Sequence, residues 1–140
     1  MHHLAKITDY LAAWLADQPL DELPSIAHAD FSYGWPHTIR DNNRVELQLW
    51  GPDDVLAIVQ WAERLHTTVT LTRHGNCLDA RVSSPLSRDF RVELWIHLKK
   101  PDQNALEAAG FELGSNGIET TSARLRQIFD MPSQAPATTS

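Results

Sequence analysis

A single cysteine, Cys77, among 140 residues leaves no partner for a disulfide within the chain, which excludes the small stapled scaffolds of secreted proteins. Glycine is also scarce, at six residues. None of the six falls in a Gly-x-x-x-x-Gly-Lys-Ser/Thr or Gly-x-Gly-x-x-Gly run, so the glycine-rich phosphate cradles are excluded. The longest apolar run, residues 11–16, is about a third of the ~18 residues a bilayer span requires. No basic segment leads into an apolar stretch near residue 1, so no export signal is expected, and a reducing, cytoplasmic setting follows. There is no basic surplus either. Lysine and arginine total 12 against 18 acidic residues, for a net charge of −6, and non-specific nucleic-acid binding needs the opposite balance. The acid concentrates in residues 1–43, where Lys6 and Arg40 face six carboxylates.

What remains is an ordinary globular composition, 42% hydrophobic and 21% charged, at a length suited to one domain. Residues 1–130 are expected to form that domain. Residues 131–140, dominated by Pro, Ser, Ala and Thr, are expected to form a disordered tail. Leu4, Ile7, Leu11, Trp14 and Leu15 recur at helical spacing, which predicts a helix over 4–17 that ends at Pro19. Residues 20–43 show no clear period, but Phe31, Tyr33 and Trp35 would share one side if extended. That segment should therefore be ordered, with a short strand at 37–40.

The most legible stretch is 44–98. Residues 44–50 alternate apolar and polar. Pro52, Asp53 and Asp54 then open a helix to about His66, whose stripe is Val55, Ile58, Val59, Ala62 and Leu65, with Trp61 on its border. Three further alternating runs, 68–73, 77–83 and 90–98, are joined by short turns. The pattern predicts an α+β fold of two layers. A β-α-β-β-β core places a helix on one face of a mixed sheet, preceded by the N-terminal helix and followed by a small C-terminal α/β appendage. That appendage comprises a helix over 104–109 stopped by Gly110, strand-like 111–113 and 118–120, and a last helix capped by Thr121 or Ser122.

Catalytic signatures are sparse. His66-Thr67-Thr68-Val69 resembles half the signature of the two-histidine phosphoesterases, in which paired histidines act as acid and base on a phosphodiester. That resemblance implies an enzyme centred on His66 and Thr68, but no second such motif stands at a matching distance. A histidine at a helix end before a threonine-rich strand is the simpler explanation. No metal or cofactor is expected. His28-Ala29-Asp30, His74 with Cys77, and the Met1-His2-His3 terminus are the only candidate ligand groups, and none has the spacing of a structural zinc site. Cys77 begins a strand, away from the helix N-terminus that would activate a thiol.

Alternation places Glu46, Gln48 and Trp50, then Thr68, Thr70, Thr72 and His74, then Cys77, Asp79, Arg81 and Ser83, and finally Arg91, Glu93, Trp95 and His97 on the second sheet face. Trp50, His74, Arg81, Arg91, Trp95 and His97 are the candidate binding residues there. Such a face should be covered, either by the N-terminal helix or by a protein partner, with a homodimer as the simplest assembly. A small nucleotide held by Arg73, Arg81 or Arg91 is the alternative ligand, and nucleic acid would have only Arg124 and Arg126 of the last helix.

Trp50-Gly51-Pro52-Asp53-Asp54, the helix behind it and Val92-Glu93-Leu94-Trp95 resemble small accessory proteins of arginine- and alanine-rich actinobacterial genomes and their phages. The resemblance covers about the central 55 residues and implies no activity. Together these features predict a small non-catalytic interaction or binding protein, of the kind carried by phages or mobile elements.

Overall fold

Alternation at 44–50 buries Val45, Leu47 and Leu49 on one side of a strand, and the same phase carries through every strand that follows. The structure is a computed structural model that describes residues 2–32, 44–50, 53–86 and 90–132. Its strands are β1 (Ser25–Ser32), β2 (Arg44–Trp50), β3 (Val69–His74), β4 (Cys77–Pro85), β5 (Arg91–Leu98) and β6 (Ile118–Thr120). Its helices are α1 (His2–Ala16), α2 (Asp54–Leu65), α3 (Lys100–Ala108) and α4 (Ser122–Ile128), with a 3-10 turn at Leu20–Glu22. The six strands form one sheet in the order β1-β2-β5-β4-β3-β6. Only β2 and β5 run parallel, and α2 supplies the crossover between β2 and the β3-β4-β5 meander. The expected two-layer α+β fold with its β-α-β-β-β core is present.

Asp53 stands just outside α2 and caps it, its Oδ1 accepting from the Leu56 amide at 3.1 Å. At the other end His66 adopts the left-handed conformation (φ 54°, ψ 48°), and the Thr67 amide donates back to the Ala62 carbonyl at 3.1 Å. Val55, Ala57, Ile58, Val59 and Ala62 face the sheet and meet Leu71, Val82 and Leu94 in one core. Trp61, expected on the edge of the stripe, is instead fully buried. It stacks on Trp14 of α1 at 5.7 Å, and its Nε1 donates to the Pro24 carbonyl at 3.1 Å. An indole on a border position becomes core because α1 closes over it.

The helix α1 thus joins α2 on the apolar side: Leu11 enters the core and Tyr10 lies against Phe90 at 5.9 Å. The C-terminal α/β segment attaches through the sheet itself, with β6 extending it beyond β3. Residues 111–113 are not a strand, so Phe111 and Leu113 pack against the core without forming a hairpin with β6. Gly117 enters β6 at φ +77°, a conformation that favours glycine, and a Cβ there would stand only 3.2 Å from Thr72 Oγ1. Thr121 caps α4 by accepting from the Arg124 amide at 3.0 Å, and Arg126 makes a two-pronged contact with Glu63 of α2 at 2.6 and 2.8 Å. Accepting those bonds, Glu63 raises the Arg126 guanidinium above its usual value against the opposing effect of burial.

Within 20–43, β1 carries a register shift between Ile26 and His28. Side chains of Phe31, Tyr33 and Trp35, and the expected strand at 37–40, lie outside the described residues. Met131 packs against the core and its amide donates to the Arg126 carbonyl at 2.8 Å, so ordered contacts extend slightly past residue 130. Residues 133–140 of the expected tail lie outside the described residues. No helix among the described residues is long and apolar enough to cross a membrane.

Candidate functional site: the mixed face of the sheet

Strand register decides which polar residues meet on the second face. Between β4 and β5, Asp79 lies opposite His97, Arg81 opposite Trp95 and Ser83 opposite Glu93. Between β2 and β5, Glu46 lies opposite Glu93 and Gln48 opposite Trp95. Across β3, Thr72 lies opposite Asp79 and Thr70 opposite Arg81. Like charges placed directly opposite repel, and the Glu46–Glu93 pair is relieved by arginines on both sides. Arg81 Nη1 reaches Glu93 at 2.7 Å and Glu46 at 3.6 Å. Arg44 Nε reaches Glu46 at 2.7 Å and Glu93 at 3.9 Å.

At the other end of the face, Asp79 is buried at 5% exposure although its neighbours are open to solvent. His97 Nδ1 lies 2.6 Å from Asp79 Oδ1, His74 Nε2 lies 3.4 Å from Oδ2, and Arg81 Nη2 lies 3.7 Å from Oδ2. Among the described residues the buried Oδ1 has no well-aligned hydrogen-bond donor, and the His97 ring is its close polar neighbour. The His97 imidazole stands edge-on to Trp95 at 4.8 Å. The Arg81 guanidinium stands 6.0 Å from the centre of the Trp95 ring, within cation–π range. Trp95 is half-buried, and among the described residues His97 and Arg81 are its ring and cation contacts.

Of the six expected binding residues, the structure brings His74, Arg81, Trp95 and His97 together. Arg91 stands at the far end of the face, both of its donating nitrogens directed at Ser83 Oγ. Trp50 borders a different feature, a groove of about 280 Å³ between the 3-10 turn, the start of β1 and α2. Asp79 was not among the expected site residues, yet it organises this end of the face. One aspartate between Leu78 and Ala80 looks like any strand residue until register sets it beside His97.

His66 and Thr68 lie elsewhere. His66 is the left-handed cap of α2, and Thr68 Oγ1 pairs with Glu119 Oε1 at 2.8 Å. From Thr68 to His74 the strand runs six residues, about 20 Å. Among the described residues no three His, Cys, Asp or Glu side chains are grouped to hold a metal ion. The side chains of His2, His3 and His28 lie outside the described residues.

Carboxylates crowd the end of the molecule where α2 begins. Asp102 has its carboxyl raised from the usual value of 3.8, first by burial and then by the charges of Asp54 and Asp53, with Lys99 acting in the opposite sense. Lys99 Nζ lies 3.7 Å from Asp54. Because the folded carboxyl holds its proton longer, the unfolded chain ionises first as pH rises past 3.8, and stability falls until the folded group also ionises. Relative to Asp102→Asn, the wild-type melting temperature should therefore fall as pH rises through that window. The group is only part-buried and solvent screens it, so the effect should stay below about 1 kcal/mol. Paired melts from pH 3 to 7 check this, and parallel curves would contradict it.

Compared with known protein families, curated proteins and solved structures, the chain matches none of them.

Proposed function

We propose that this is a non-catalytic binding protein that receives a protein partner, a second copy of itself being the simplest case, on the mixed face of its sheet. An accessory role, of the kind the central motifs suggest, fits such a module. The observation that carries the reading is the ordered array around Asp79, Arg81, Trp95 and His97, on a face that no described helix covers. Antiparallel sheets commonly leave one face in water. This face differs from a merely solvated one because its side chains are already held in place by mutual contacts. Pre-ordering of that kind lowers the entropy that association costs. A tryptophan flanked by arginine is also the usual composition of an interface centre.

A small nucleotide is less well served. Arg73 is engaged by Gln103, the Leu113 carbonyl and Glu107, while Arg81 faces three carboxylates. A phosphate arriving there would meet those acids first. A phosphodiesterase centred on His66 has less support still, since its Thr68 hydroxyl is paired with Glu119.

Trp95→Ser tests the reading. It should leave the melting temperature within a few degrees of wild type, while the assembly seen by light scattering or native mass spectrometry of a lysate is lost. A variant that retains the same species as wild type, or a wild-type chain that stays monomeric and retains no partner, would overturn it.

A further inference from the structure

Among the described residues Trp50 is the most exposed of the large hydrophobic side chains, at 64%, and the groove it borders is separate from the cluster around Asp79. The groove forms because β1 and β2 pair at Ser25 and Trp50 just where the chain turns into α2. Leu23, Pro24, Leu56, Ala57 and the Trp50 indole give its lining an apolar part. Asp21, Glu22 and Asp53 line it as well, beside the neutral Ser25 and Gln60, and none of the described lining residues is basic. Asp53 already uses Oδ1 to cap α2. Asp54 and Asp102 add negative charge nearby, with Lys99 beside Asp54.

We infer that this groove is a docking site for an arginine side chain presented by a basic segment of a partner protein. An indole together with carboxylates and apolar side chains is complementary to one kind of group, a cation with a flat apolar face. The guanidinium meets all three conditions: it stacks on an indole, bonds carboxylates in pairs, and carries an aliphatic stem for the apolar part. An ammonium lacks the plane. At 280 Å³ the groove is slightly smaller than the ~300–1,000 Å³ typical of pockets that enclose free small molecules. With Trp50 so open, it holds one side chain better than a whole ligand. The occupant is therefore delivered on a polypeptide.

The test uses the full chain, labelled with ¹⁵N and titrated with acetyl-Gly-Arg-Gly-amide, and in parallel with the Gly-Lys-Gly and neutral Gly-Gln-Gly analogues. The arginine peptide should shift the Trp50 indole N–H and the Leu56 and Ala57 amides saturably, with weaker shifts from lysine and none from glutamine. Trp50→Ala should weaken binding by about two- to fivefold, since it removes the stacking surface at an exposed site. Trp50 is exposed enough for that variant to fold, and the double variant Asp21→Asn/Glu22→Gln gives a second measure, with a comparable loss. Equal binding of the lysine or glutamine peptide, or arginine-peptide shifts unchanged in both variants, would overturn the assignment.

Discussion

Leu94→Ala should cost this fold about 2–5 kcal/mol, the range of large-to-small changes in closed cores. Leu94 is fully buried at the middle of β5. It lies opposite Val82 on β4 and Leu47 on β2, so its side chain occupies the centre of the three-strand stretch beneath α2. Three of its surroundings cannot collapse into the space left behind. Val82 and Leu47 are fixed by the ladders on either side, and α2 is held at a set height by Asp53 at one end and the His66 cap at the other. The cost should thus fall in the upper part of the range, as a drop in both melting temperature and denaturation midpoint with little change in denaturant slope. Val45→Ala, at the end of the same face, removes less volume and should cost less. Equal losses at the two positions, or no loss at Leu94, would mean that the buried face is not the one described.

Legibility followed the strength of the local pattern. β2, α2, β4 and β5 each carry an unbroken period of the right length, so their existence, their buried face and the helical crossover followed from sequence alone, while the parallel pairing of β2 with β5 did not. β1 did not. Its register shift between Ile26 and His28 breaks the alternation, and it offers Ala27 and Ala29 where a central strand would carry larger apolar groups. Losing β1 also hid the groove beside Trp50, because half of its lining residues come from 21–25. On the mixed face, alternation put His74, Arg81, Trp95 and His97 on one side but could not say which of them meet. Distances between His97, Asp79 and Arg81 depend on which residue stands opposite which, and period alone does not fix cross-strand register. Arg126 shows the same limit. As a surface arginine of the last helix it suited an anion, but the docking of α4 on α2 commits it to Glu63.

Trp61→Ala should be the most damaging single change, at about 3–5 kcal/mol. Trp61 is fully buried and serves three elements at once. Its ring stacks on Trp14, tying α1 to α2, while its Nε1 holds the Pro24 carbonyl and with it the approach to β1. Two milder changes divide these roles. Trp61→Phe keeps an aromatic ring for Trp14 but gives Pro24 no donor, and the lost bond should cost about 0.5–1.5 kcal/mol beyond the smaller ring's lost contacts. Trp14→Ala removes the stack and leaves the hydrogen bond. In a double-mutant cycle, Trp14→Ala and Trp61→Ala should couple by about 0.5–1.5 kcal/mol, the excess an aromatic pair contributes beyond area. Near-ultraviolet circular dichroism should change in both single variants, because a nearly parallel indole pair, 17° between planes, is a strong source of that signal. Additive losses would mean that α1 does not rest on α2 through this pair.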